Sequence, residues 1–300
     1  MSRRKVPVEM WLTPLEGSAS LTSHQGWSSI GNTDKRMAPP ARTAGEIDAM
    51  ATREKLLYNE DRKTWHANLG PYMTTDFVAA MDVIDDVVDS NRQDADKVRS
   101  AAVLDAWPGL GKTTLAVYYA REYQRRQLDL YGPETTEGTK HIPVAFIRLA
   151  GVTTVRSLNQ SLCQFYGHPG ADSGNADILG KRAAQAARDA WTRLIVIDDL
   201  NFININTKNG REAANHFKWL ANEFQVTFLY VGVGLKANGL LREGLKDDLE
   251  HFAQIARRWT RTSLKPFAPD DPKTWRKILL SIEKDPVSYT HLTLPTNREV

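Results

Sequence analysis

Four short runs in the middle of the chain are apolar nearly throughout rather than at alternate positions: "VLDA" (103–106), "VAFIRLA" (144–150), "LIVI" (194–197) and "VTFLYV" (226–231). A fifth run, "TSLKPF" (262–267), follows them. A strand open to solvent on one face alternates apolar and polar residues, whereas one covered on both faces does not. Between the runs lie "KTTLAVYYAREYQRR", "TVRSLNQSLCQFY", "ADILGKRAAQAARDAW" and "REAANHFKWLANEF", with the composition and spacing of helices. This alternation predicts an α/β fold of three layers, a parallel sheet with helices on both faces and right-handed crossovers.

The flanks read differently. Residues 1–45 are rich in Ser, Pro, Gly and Arg without apolar periodicity, which predicts a disordered basic tail. Residues 46–100 form an N-terminal helical segment. In it, "AGEIDAMATREKLLYNEDRKTWHA" (44–67) reads as one exposed, charge-laced helix that "NLGPYMTT" interrupts. A second helix, "TDFVAAMDVIDDVVDSN", has Thr75 or Asp76 as its cap and Phe77, Met81, Ile84 and Val88 on one face. The core domain spans 101–267, and residues 268–286 read as the start of a helical lid. The stretch "VSYTHLTLPTNREV" (287–300) resembles the translation of a sequencing-library adapter, so the native protein is expected to continue beyond Pro286.

A single cysteine, Cys163, among 300 residues excludes an internal disulfide and points to a reducing cytoplasm. No apolar run approaches the roughly 20 residues of a membrane helix, nor does the start read as a signal peptide. The net charge of +3 permits nucleic-acid binding without arguing for it. The seven histidines have no metal-ligand spacing, so no metal is expected beyond one a nucleotide brings.

Chemistry enters at "DAWPGLGKTT" (105–114), between a strand and a helix. Consecutive backbone N–H groups at a helix N-terminus make an anion cradle. Pro108, Gly109, Leu110, Gly111, Lys112, Thr113 and Thr114 are the expected nucleotide-binding residues, with Lys112 on the β- and γ-phosphates of ATP and Thr113 on Mg²⁺. Ala106 replaces the first glycine of the usual pattern, which a strand end tolerates if φ stays negative. In "RLIVIDDLNF", Asp198 is the expected Mg²⁺ carboxylate, and Asp199 stands where a water-activating acid is needed.

At these residues the chain resembles the TniB/TnsC-like transposition ATPases of the AAA+ superfamily. The resemblance covers roughly Leu56 to Phe267 and rests on "LLYNEDRKTWHANLGP", "DAWPGLGKTT", "IDDLNF", "NHFKWLANEFQVTFLYVGVGL" and "ARRWTRTSLKPF". It implies an ATP-dependent regulator of DNA transposition that oligomerises on double-stranded DNA and presents that DNA to a DDE transposase. It also implies that Arg257 or Arg258 is an arginine finger reaching a neighbouring subunit's γ-phosphate. The fourth strand ends in "VGVG", with Asn238 the nearest side chain able to position water, and Arg276 stands where the lid would hold its sensing arginine. Slow, assembly-dependent hydrolysis is therefore expected. A nucleotide-gated signalling scaffold and a helicase-loader-like ATPase share the loop, but the block from Asn215 to Gly234 favours transposition.

Elsewhere, Ala214, Phe217, Ala221 and Phe224 share a helical face expected to be core, while His216 and Lys218 fall on solvated faces. Lys181, Arg182 and Arg188 are the candidate contacts to the DNA backbone, and nothing reads base edges.

Overall fold

All residues of three strands are buried, as expected of strands covered on both faces. The computed structural model describes residues 20–31, 38–94, 99–149, 154–200, 212, 215–217, 219–220, 223–235, 259–268 and 270–283. In chain order its elements begin with α1 (His24–Gly31), α2 (Ala44–Asp48), α3 (Thr52–Ala67) and α4 (Thr75–Ser90). Next come β1 (Ala101–Asp105), α5 (Lys112–Tyr131), β2 (Val144–Arg148), α6 (Val155–Phe165), α7 (Ala176–Asp189) and β3 (Leu194–Asp198). The last are β4 (Thr227–Gly232), β5 (Trp259–Thr262) and α8 (Pro272–Glu283). Two compact units result, one of Met1–Asn32 with Asp76–Lys265 and one of Thr33–Thr75 with Pro266–Val300.

In the first unit the five strands run parallel in the order β2-β3-β4-β1-β5. The register sets Asp105 opposite Gly232 and Arg148 opposite Asp198, so the acidic strand ends share one edge of the sheet. Helices α6 and α7 pack on each other, with Gly180 at their close approach. A Cβ there would lie 2.9 Å from Asn159 Nδ2 and from the Trp219 ring. Asn91, just past α4, ties that helix to the sheet. Its amide donates to Ser100 O (2.7 Å) and Thr227 Oγ1 (2.9 Å), and its Oδ1 accepts from Ser100 N (2.8 Å). In the second unit, Thr43 and Glu46 form a capping box at α2, and the Tyr58 hydroxyl of α3 donates to Pro40 O (3.0 Å).

Several expectations change. The tail read as disordered over 1–45 contains α1. Its Trp27 is fully buried, stacked on Phe146 (centroids 5.5 Å apart), and donates its indole N–H to Gln124 Oε1. One aromatic anchor at low local hydrophobicity leaves no periodic signal, yet it buries large apolar area. The single helix expected over 44–67 is two, α2 and α3. No residue of α2 is buried, so no packing face joins them into one rod. The fifth strand is Trp259–Thr262 rather than 262–267. An edge strand needs pairing along one side only, and it takes it from β1 in register Ala101 to Trp259. Pro266 has no N–H to continue a ladder.

Phe217 and Phe224 are core, as their spacing predicts, while the side chains of Ala214, Lys218 and Ala221 lie outside the described residues. His216 is not on a solvated face. Its ring stacks on Trp219 (5.0 Å), and its Nε2 donates to Asn159 Oδ1 (2.7 Å). Burial drives its pKa down to about 4. The unfolded chain takes up the imidazole proton below its ordinary value of about 6.5, whereas the native state stays neutral to about pH 4. The stability it contributes is therefore complete above about pH 6.5 and lost as pH falls through that window, by about 3 kcal/mol in all. Urea midpoints at about pH 7 and about pH 4.5 should fall more steeply for the native sequence than for His216→Gln. Parallel slopes would refute this account.

Candidate nucleotide-binding site

The chain leaves β1 at Asp105, turns through residues 106–111, and enters α5 at Lys112. Gly109 and Gly111 adopt φ of +79° and +85°, left-handed values that cost an L side chain about 1–2 kcal/mol. A Cβ at either glycine would meet nothing within 4 Å, so it is the left-handed backbone and not crowding that calls for glycine here. Ala106 remains extended from the strand and buried. Its N–H donates to Gly232 O (3.4 Å), and it is not among the positive-φ residues, so the missing first glycine leaves the turn intact. Leu110 is part-buried against the core, whereas Pro108 and Thr114 are exposed. Trp107 points outward, 74% exposed.

Lys112 folds back over this turn and donates from Nζ to the Trp107 carbonyl (2.8 Å). Desolvation lowers its pKa, against the raising effect of the Asp198, Asp105 and Asp199 charges. Thr113, next along α5, donates from Oγ1 to Asp198 Oδ2 (3.0 Å). Asp198 ends β3 with its side chain only 2% exposed, and its Oδ1 accepts the Asp199 backbone N–H (3.0 Å). Burial foremost, then the neighbouring Asp199 charge, raises its pKa. Asp199 is half-exposed at φ +61°, a left-handed and strained value for a residue other than glycine.

Two arginines enter the site without having been foreseen. Arg148 at the end of β2 places Nη2 at 3.4 Å from Asp198 Oδ2 and Nε at 3.7 Å from Asp199 Oδ2. Arg261 of β5 donates from Nη2 to Asp105 Oδ2 (3.2 Å), an almost fully buried carboxylate behind the turn. Both contacts depend on which strands are neighbours, and sequence spacing does not carry that information. The one available signal was a charged residue closing an apolar run, as in "AFIR".

The loop residues, Lys112, Thr113, Asp198 and Asp199 converge here, and Lys181, Arg182 and Arg188 of α7 do not. Lys181 is exposed on α7. Arg182 spends Nη1 on Gly170 O (2.8 Å) and Ser173 O (2.6 Å), and Arg188 donates to Glu223 O (3.1 Å) and Gln185 Oε1 (3.1 Å). Arg276 is exposed on α8. Arg257, Arg258 and Asn238 lie outside the described residues. Among the described residues no helix is long and apolar enough to cross a membrane.

The contents of the site suit a nucleotide with a divalent cation. The open turn carries backbone N–H groups and a cation, and a hydroxyl and a buried carboxylate already meet at one point. Residues 95–241 match the family model of the AAA domain. No curated protein matches the chain. Among solved structures it is similar to the ORC1 protein of Aeropyrum pernix in complex with DNA, at 14% identity over 72% of this chain and 51% of that one, with a TM-score of 0.49. Similarity extends to Cdc6p from Pyrobaculum aerophilum (16%, 74% and 53%, TM-score 0.45). It extends also to AMPPCP-bound DnaA from Aquifex aeolicus (14%, 72% and 53%, TM-score 0.41). The chain spans about half the length of each of these proteins. The parallel sheet, the phosphate loop after β1 and the buried acid at the end of β3 make up the α/β arrangement of a P-loop AAA+ fold, and residues 95–241 are the part that matches the AAA domain.

Proposed function

We propose that this protein is an ATP-dependent regulator of DNA transposition, which oligomerises on double-stranded DNA and recruits or activates a DDE transposase in the cytoplasm. The ATP-dependent part is carried by the Thr113–Asp198 contact of 3.0 Å beside the open turn at Gly109 and Gly111. The transposition part rests on the resemblance in "LLYNEDRKTWHANLGP" and in the block from Asn215 to Gly234.

In this reading, residues Pro108 to Thr114 hold the triphosphate through backbone N–H groups. Lys112 exchanges its Trp107 carbonyl for phosphate oxygens. Thr113 and Asp198 would hold Mg²⁺, which when bound supplies charge neutralisation across the β- and γ-phosphates. Asp199 accepts a proton from the attacking water, and Arg148 keeps the two carboxylates from repelling each other before nucleotide arrives. Arg257 or Arg258 of one copy reaches the γ-phosphate held by the next, so hydrolysis depends on assembly. Lys181, Arg182 and Arg188 face the DNA backbone, the latter two by giving up their present carbonyl partners.

Sedimentation with ATP, with and without a random-sequence duplex, tests the assembly. The protein should remain small alone and form large species with ATP and duplex. Its ATPase rate should then rise steeply with protein concentration, and its DNA affinity should fall with salt as counterions are released. A protein that stays monomeric under both conditions, well above its ATP-binding midpoint, would exclude this function and favour a signalling role.

A further inference from the structure

The end of the sheet remote from the phosphate loop holds a second cleft, of about 390 Å³. It lies where the strands begin. Arg99 precedes β1, Arg193 precedes β3, and Thr227 opens β4. The far half of α5 lines it with Tyr123, Gln127 and Tyr131, and the His141 ring contacts both Tyr131 (6.5 Å) and Trp191 (5.9 Å). Its volume is at the small end of the range for organic ligand sites, about 300–1,000 Å³.

Hydrogen-bond accounting indicates what it would take. Gln127 is only 9% exposed, yet among the described residues nothing pairs with its amide. Arg99, equally buried, donates from Nη1 to the carbonyls of Asn91 and Gln93, but its Nε–H is buried without a partner. Arg193 presents a guanidinium that makes no side-chain hydrogen bond or ion pair with any described residue. Arg92 adds a third guanidinium, held by Asp89 (2.9 Å). Burial raises the Tyr123 phenol, and the Arg193 and Arg92 charges act against it, which puts both cations within electrostatic reach of this wall.

Three helices, α4, α5 and α7, end at the cleft, and their C-terminal dipoles alone would repel an anion. Their carbonyls are largely taken, however. Gly132 N caps Leu128 O, His141 Nδ1 donates to Gly132 O, Thr139 donates to Asp189 O, and Ile142 N caps Ala190 O. What stands free in the cleft is thus chiefly the Arg193 guanidinium, beside the Gln127 amide, which can donate as well as accept. Trp191 and Gln225 line the cleft at φ +53° and +50°, positions where glycine would be less strained. That their side chains stand there despite the strain fits a use for them.

We infer that this cleft binds a small organic oxyanion, a phosphate ester or a carboxylate on a flat group, independently of the phosphate loop. The oxyanion lies against Arg193, Arg99 and the Gln127 amide, in the bidentate geometry that guanidinium favours, and the flat group lies against Tyr131 and Trp191.

The test is titration calorimetry on the full chain with the phosphate loop kept saturated by ADP and Mg²⁺, using AMP and phthalate as probes. One-to-one binding of either probe is expected, and which of them binds identifies the head group. Arg193→Ala should weaken it by at least about tenfold. Gln127→Leu should weaken it also without lowering the melting temperature of the ligand-free protein, because the amide it removes has no partner among the described residues. Two results would overturn the inference: no binding of either probe at millimolar concentration, which leaves a cleft for water alone, or binding that both variants leave undiminished.

Discussion

Replacing Lys112 with alanine is expected to abolish measurable ATP binding, a loss of at least about 100-fold. The ammonium group lies over the turn, 2.8 Å from the Trp107 carbonyl, where it is partly stripped of water and its pKa is lowered. A carbonyl is a weaker partner for it than a phosphate oxygen. Nucleotide therefore gains a charge-assisted contact at the cost of a neutral one, and each such contact to phosphate contributes about 1.5–3 kcal/mol. Lys112 is half-buried at the first position of its helix and outside the apolar core, so the variant should fold and melt as the native protein does. Arginine is no substitute, because its rigid fork cannot replace a compact ammonium in so short a turn. Equilibrium titration with a fluorescent ATP analogue measures the effect. Unchanged affinity in Lys112→Ala would mean that the pocket is misassigned.

The adjacent carboxylates should separate binding from turnover. Asp199→Asn is expected to leave ATP affinity within about twofold and to slow hydrolysis by ~10²–10⁴-fold, the usual contribution of a general base. Asparagine is suited to the position on conformational grounds, since it tolerates the left-handed φ of +61° better than most residues. The change therefore removes a proton acceptor without straining the backbone. Asp198→Ala should act differently. It deletes the acceptor of the Thr113 hydroxyl, so Mg²⁺ dependence should vanish while some metal-free nucleotide affinity survives. Binding titrations with and without EDTA, beside steady-state rates, distinguish the two. If Asp199→Asn retained full kcat, the water-activating role would have to pass to another group.

The alternation of mostly apolar runs with helices was enough to predict a parallel sheet, because a strand covered on both faces has few places for a polar residue. The phosphate loop was equally legible. Its requirements, left-handed backbone at Gly109 and Gly111 and a cation at the helix start, are local, and local requirements leave residues at fixed spacing. Asp198 was readable for the same reason, as an acid closing an apolar strand.

What local spacing could not supply was adjacency. Arg148 meets Asp198 and Asp199 because β2 lies beside β3, and Arg261 meets Asp105 because β5 lies beside β1. The strand order arises from crossovers that no short motif encodes. Trp27 looked like part of a polar tail until Phe146 and Gln124 were brought against it from far along the chain. His216 looked solvated until Asn159 and Trp219 enclosed it. The cleft at the far end of the sheet is the extreme case, since its walls come from six separate stretches of sequence, each unremarkable alone. The sequence by itself thus determined the elements and the chemistry held within one turn, where backbone geometry and nearest neighbours decide. Only the tertiary structure decided which buried polar groups found partners and which, like the Arg99 Nε–H, did not, because partners distant in sequence are chosen by packing.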